Sequence, residues 1–290
     1  MQIEHGWRCA VAPQRHRRTR VRFAAVVALC AAQPIAAQRS PDFAAVDRYV
    51  ERAAHDWNAA PELRLYDAYA TREATIRDPL THRTGMPGTD QFWAMDENAL
   101  TFPEIVRRLR YVQPNSSFRS AWNYQNVIYA LGGTISERVS GMPWDAVIRS
   151  RILAPLGMRE SQALVSQIRG KENVALLHAR IRDIVRVVPI QSTALVASAG
   201  SVWSSVVDMS KWMRFMLDSG RVGATRLISS KNVRELIAPQ IRADMATYPA
   251  SEIVAPHGFS YVPGWFVQDY HGKTVWMHSG GINGMSASIG

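Results

Sequence analysis

Cysteine is nearly absent from this 290-residue chain. Cys9 and Cys30 are its two, and both fall within residues 1–37. Beyond that stretch no disulfide can form and no thiol can serve as nucleophile, so disulfide scaffolds and cysteine hydrolases fall away. Lysine is scarce as well. It occurs only as Lys171, Lys211, Lys231 and Lys273, and the residues three before these are Ile168, Asp208, Ile228 and Tyr270. No serine therefore stands three before a lysine. His-Glu-x-x-His is missing too, and His178, His257 and His271 show no other metal-ligand spacing, which leaves a metal-dependent hydrolase and any metal cofactor without support. The apolar run "FAAVVALCAA" is ten residues, short of the roughly 20 that span a bilayer.

What the chain does have is positive charge, +10 formally. Half of that excess sits at the start, where Arg8, Arg15, Arg17, Arg18, Arg20 and Arg22 face one acid, Glu4. The remainder is an ordinary mixed surface with no lysine run interleaved with aromatics, so a nucleic-acid groove is not expected. "RHRRTRVR", then "FAAVVALCAA", then "QPIAAQ" with small residues near Ala37, follows the order of a secretory signal peptide. The alternative is a buried N-terminal helix. Residues 1–37 are expected to be an export leader, giving a periplasmic or secreted product, and 38–290 the domain. Leu29 precedes Cys30 where a lipoprotein signal carries a small residue, so lipid anchoring is not expected.

Along the domain, Ser40 and Pro41 open a helix whose Phe43, Val46, Val50 and Trp57 share one face. The stretch 58–88 is loop-rich, with one helical turn at Thr75 to Leu80. Residues 101–112 read as a helix. After "NYQN", Val127, Leu131, Ile135 and Val139 form a buried stripe that Gly141 closes as a left-handed cap. Pro143 starts another helix, ending at "LAPLGM". Ser205 and Asp208 have the spacing of a capping box before a helix to Leu217, and its Met209, Trp212, Met213 and Met216 face a core. "GWFVQDYHGKTVWMHSGG" reads as two strands joined at His271-Gly272, and Asn283-Gly284 turns into a third.

Five segments then stand in one order: "TIRDPLTHRTGMP" (75–87), "NYQN" (123–126), "ILAPLGM" (152–158), "SAGSVWSSVVDMSKWMRFML" (198–217) and "HSGG" (278–281). Together they resemble the serine β-lactamase and penicillin-binding-protein-like hydrolases, in the branch of class C β-lactamases, D-alanyl-D-alanine carboxypeptidases and esterases. The resemblance implies an α+β fold, an antiparallel sheet flanked by helices, and an acyl-enzyme formed on the serine of Ser-x-x-Lys. It implies that Tyr124 is the proton-shuttling phenol and that Asn126 orients a substrate carbonyl. His278, Ser279 and Gly280 match the Lys-Thr-Gly strand, and the resemblance implies that Gly281 supplies an N–H to the oxyanion. The plainer readings are that Tyr124 and Asn126 cap the helix that follows, Asn126 being a good cap type, and that His278 is a satisfied strand histidine. Histidine in place of lysine is charged only part of the time near neutral pH, which favours an esterase or peptidase over a β-lactamase. His82 falls in the family's structural turn and receives no catalytic role.

The resemblance also exposes a gap. Relatives place two strands and the nucleophile helix before a stretch like "RLYDAYATREATIRD"; here Trp57-Asn58 runs almost directly into it. An internal deletion near Ala59 to Pro61 and a cut C-terminus are expected, with the early strands, nucleophile helix and closing elements missing. Such a chain is expected to be inactive, with a small-molecule or peptide acyl substrate for the family; a non-catalytic ligand-binding relative is the alternative. The leader is checked by N-terminal sequencing of protein recovered from the periplasm or medium of an expressing host. It should begin at or near Gln38, and retention of Arg15 to Arg22 would refute export by cleavage.

Overall fold

The computed structural model describes residues 63–94, 100–243 and 259–290, all within one unit of the chain, Asp42–Gly290. The leader, the helix expected over 40–57 and the junction at 59–61 lie outside the described residues. Nothing among the described helices is long and apolar enough to cross a membrane.

Helix α1, Ala68–Glu73, is capped by Asp67, whose carboxylate accepts from the Tyr69 N–H. It lies in the stretch expected to be loop. The helical turn expected near Thr75 is α2, Arg77–Leu80. The short α3, Gln91–Ala94, follows, then α4, Phe102–Arg108, closed at its start by a reciprocal Thr101 and Glu104 capping box. α5, Asn126–Tyr129, and α6, Leu131–Ser140, are separated by Ala130. Gly141 ends α6 at φ 65, its N–H returning to the Glu137 carbonyl. Val127, Leu131 and Ile135 are buried as the stripe requires, and Val139 is half-buried. Val127 and Leu131 join Leu63, Met86, Ile105, Leu109 and Val196 in one core. Each such fully buried aliphatic side chain contributes about 1.5–3 kcal/mol.

α7, Trp144–Ile148, begins after Pro143 and runs into a wider turn, Arg149–Leu153. A hairpin of β1, Leu177–Ile181, and β2, Ile184–Val188, follows. Its turn residues Arg182 and Asp183 both have positive φ. α8, Ala197–Gly200, leads to α9, Val206–Leu217, where Ser205 accepts from the Asp208 N–H. The reciprocal half of a capping box is absent. The Asp208 carboxylate instead accepts from the Glu160 and Ser161 N–H groups and pairs with Lys211. Met209, Trp212 and Met216 of the expected stripe pack with Leu153, Leu156 and Met158; Phe215, outside that stripe, joins them, and Met213 is not in the cluster. A two-residue hairpin, β3 (Arg221–Val222) and β4 (Thr225–Arg226), precedes α10, Ser230–Ile237.

The main sheet is an antiparallel meander of β5, Ile241–Ala243; β6, Phe259–Val262; β7, Trp265–Tyr270; β8, Lys273–Ile282; and β9, Met285–Ile289, in that spatial order. The turns at His271-Gly272 and Gly284 fall where the dipeptides place them, all three residues at positive φ. β8 changes partner midway. Lys273 to Met277 pair with β7, and His278 to Ile282 with β9. Trp276 packs on the α9 cluster, while Met277 joins Tyr261, Phe266 and Trp122 in a second aromatic cluster.

The segment that reaches this second cluster is held by one carboxylate. Asp78 is fully buried and accepts from the Thr75 N–H and hydroxyl, from Arg83 Nε at 2.7 Å, and from Arg119 Nε at 2.8 Å and Nη2 at 2.9 Å. Burial alone would raise its pKa; the hydrogen bonds from Arg119 and Thr75 and the charge of Arg83 outweigh burial and hold it below the usual carboxylate value. The folded carboxyl thus releases its proton more readily than the unfolded one. Its stabilisation is complete above the unfolded value of about 3.9 and is lost as pH falls through the lower folded value. Asp78→Asn should destabilise by about 3 kcal/mol near neutral pH, because both guanidinium groups lose their countercharge. Denaturant melts at pH 7 and pH 3 check this, and the gap between wild type and variant should narrow at the lower pH.

Candidate active site

Backbone pairing brings the expected site residues together. The turn at 82–86 runs beside residues 115–123: Asn115 N–H donates to the Gly85 carbonyl, Arg119 N–H to Arg83 and Asn123 N–H to His82. This delivers Trp122 and Tyr124 onto the sheet, where they pack with Tyr261, Phe266 and Met277. Tyr124 and His278 meet there with ring centroids 6.2 Å apart. The His82 ring centroid lies 4.4 Å from that of the phenol, and Tyr261 sits 4.9 Å from His82.

His278 is held as a neutral acceptor. Its Nδ1 is 2.6 Å from the carbonyl oxygen of Ser279, so that nitrogen carries the proton. Nε2 is then the lone pair that the Tyr261 hydroxyl approaches at 3.4 Å. Desolvation lowers the histidine pKa, and the bond to the Ser279 carbonyl offsets this only in part. Tyr261 is pushed well above the ordinary phenol value, chiefly by burial, so its proton stays in place. Ser279 is half-buried, and Gly280 and Gly281 are exposed. A Cβ added to either glycine would meet nothing within 4 Å. The ladder with β7 runs to Met277, and from His278 onward the strand pairs with β9. His278 brings this half of β8 beside Tyr124.

Asn126 stands apart. Its amide donates to Asp90 Oδ1 at 3.0 Å, an oxygen that also accepts from Trp93 Nε1 at 2.9 Å. The cap of α5 is Gln125, whose Oε1 accepts from the Ile128 N–H at 2.6 Å, so neither Tyr124 nor Asn126 performs the capping role. Trp122 and Tyr261 are site residues that sequence reasoning missed, and no local motif marks them. His82 stands in "LTHRTG", where the sequence marks a turn and no role at the site. Buried polar atoms without partners gather around it: His82 Nε2, Trp122 Nε1 and Gln125 Nε2. Among the described residues no group of three or more His, Cys, Asp or Glu is placed to hold a metal ion.

The fold is shared with proteins of solved structure. A D-stereospecific amidohydrolase from Streptomyces superposes with a TM-score of 0.66 at 21% identity, over 83% of this chain and 72% of its own. An octameric penicillin-binding protein homologue from Pyrococcus abyssi gives 0.64 at 20% identity, over 82% of this chain and 51% of its own. In sequence the chain is similar to an unguisins hydrolase of Aspergillus campestris, 27% identical over 249 residues, which are 80% of this chain and 44% of that protein. The chain thus spans less than half the length of that curated relative. The Beta-lactamase family model matches residues 43–290, a span that holds all five ordered segments and every residue of the aromatic site, and the chain belongs to that family.

Proposed function

We propose that the chain carries the acyl-binding cleft of a β-lactamase-related serine hydrolase, one that acts on esters or amides through an acyl-enzyme, and that it cannot itself form the acyl-enzyme. The observation that carries this reading is the juxtaposition of Tyr124 with His278 on β8, just past the end of that strand's ladder with β7. That stretch of the strand can pair with the backbone of an acyl group, with the Gly281 N–H directed at the carbonyl oxygen. Tyr124 is the proton-transfer group, and it requires a nearby cation to lower its ordinary pKa of about 10. Ser-x-x-Lys, which supplies both that cation and the attacking hydroxyl in the family, does not occur in the 290 residues. Asn126, held by Asp90, is a substrate contact only if that bond is exchanged.

A ligand-binding role without turnover uses the same cleft and is the second reading, favoured by the missing motif. Small amides, esters or short peptides are the ligands, amides in keeping with the similarity to a D-stereospecific amidohydrolase. Neutral ligands fit best, because His278, its pKa lowered by burial, is a neutral imidazole where the family lysine is a cation. Export behind residues 1–37 would place the protein where such compounds are met.

Two measurements test the reading. Incubation with a fluorophosphonate or a penicillin, followed by intact-mass analysis, should leave the mass unchanged; a stoichiometric adduct would show that another serine acts as nucleophile. His278→Lys should strengthen equilibrium binding of a carboxylate-bearing penicillin by about tenfold, the worth of one charged hydrogen bond, and leave a neutral amide unaffected. Equal gains for both compounds would remove His278 from the substrate edge.

A further inference from the structure

His82 touches the Tyr124 segment from both sides. Its carbonyl accepts the Asn123 N–H at 2.8 Å, and its ring Nδ1 accepts the Gln125 N–H at 3.2 Å. Between those two bonds lies Tyr124, and the rings of His82 and Tyr124 are 4.4 Å apart at an interplanar angle of 44°. His82 is 2% exposed and adopts φ 56, the left-handed region that a residue with a Cβ enters at a cost. Such conformations persist where surrounding contacts over-determine them and concentrate at functional sites. A turn that merely reversed the chain could carry Gly or Asn at this φ without strain. Neither of those offers an aromatic face to the phenol.

The proton on the imidazole is also fixed by these contacts. Nδ1 accepts from a backbone N–H, so the proton of the neutral ring resides on Nε2. The groups facing the ring are Trp122, Tyr124, Tyr129, Tyr261 and, through space, His278. None of them is an acid that would favour a cation. Burial, with His278 second, lowers the pKa of His82 to about 3, and an imidazolium would have no lone pair for Gln125.

We infer that His82 is the positioning residue for Tyr124, holding the peptide on each side of the phenol through its carbonyl and its Nδ1 lone pair and setting the phenol's orientation by ring contact. The inference rests on the reading of Tyr124 as the proton-transfer group, but the clamp itself is a property of the folded chain. It explains why an imidazole, and not a small residue, occupies the strained corner.

The test is NMR on the full chain. In the wild type, ¹⁵N shifts should show His82 with Nδ1 as the unprotonated nitrogen and no titration between pH 5 and pH 8; a protonated Nδ1 or a midpoint near 6.5 would overturn the clamp. Hydrogen exchange is then compared in three variants. His82→Gly suits the backbone but lacks the acceptor, and His82→Leu keeps bulk without it. Both should speed exchange of the Gln125 amide at least tenfold relative to that of Val267 in β7, and should shift the Tyr124 ring signals. His82→Asn tolerates positive φ and places an acceptor oxygen where Nδ1 stood, and should keep Gln125 exchange within about threefold of wild type. A purely structural role predicts uniform acceleration at Gln125 and Val267 alike, and that outcome refutes the proposal. Should the glycine and leucine variants not fold, the wild-type ¹⁵N result decides alone. A covalent adduct in the mass experiment would change the reading of the site without altering any of these signals.

Discussion

The segment that carries Tyr124 to the sheet hangs from the turn between Thr75 and Gly85. A fully buried carboxylate at Asp78 gathers two guanidinium groups, one of which, Arg119, belongs to the distant strand of chain that leads to the site. His82 and Gly85 complete the attachment with backbone acceptors for Asn123 and Asn115. The arrangement is electrostatic at one end and aromatic at the other. The carboxylate fixes where residues 115–120 lie, and the imidazole fixes how residues 123–125 are presented. Gly85, at φ 83, permits the closest approach, since a Cβ there would press on the Ser116 carbonyl.

Much of the fold is legible where local chemistry acts alone. The Ser205 cap, the Gly141 terminus and the reversals at His271-Gly272 and Asn283-Gly284 depend on residues within four positions of one another. Elsewhere the signal is weak or tertiary. The β1 and β2 hairpin turns on Arg182 and Asp183, which carry none of the Gly or Asn bias that marks such turns, and its Ile184, Val185 and Val187 are exposed. No alternation of burial therefore shows. α1 escapes notice because "AYATRE" is short and buries only Ala70. β6 precedes the stretch in which strand alternation is clear.

The site divides along the same line. Residue types at Tyr124 and His278 can be read from ordered motifs, yet their proximity is produced by the turn and the sheet. Trp122 and Tyr261 are invisible as site residues because nothing in their immediate sequence marks them. Asn126 illustrates the reverse case. Its motif is intact, but Asp90 is its partner in the folded chain, and the helix is capped by the less expected Gln125. Long-range hydrogen bonding decides which amide serves which purpose.

β8 serves two neighbours in succession, one along its first five residues and the other along its last five. Side chains alternate along a strand with a period of two. One extra residue at the junction of Met277 and His278 would therefore leave the β7 half in register and invert the β9 half. The imidazole would leave the aromatic pocket and the two glycines would exchange faces. The handover point between partners is thus the least forgiving place in the sheet for a change in length, and an evolving lineage can vary the two halves independently only by substitution.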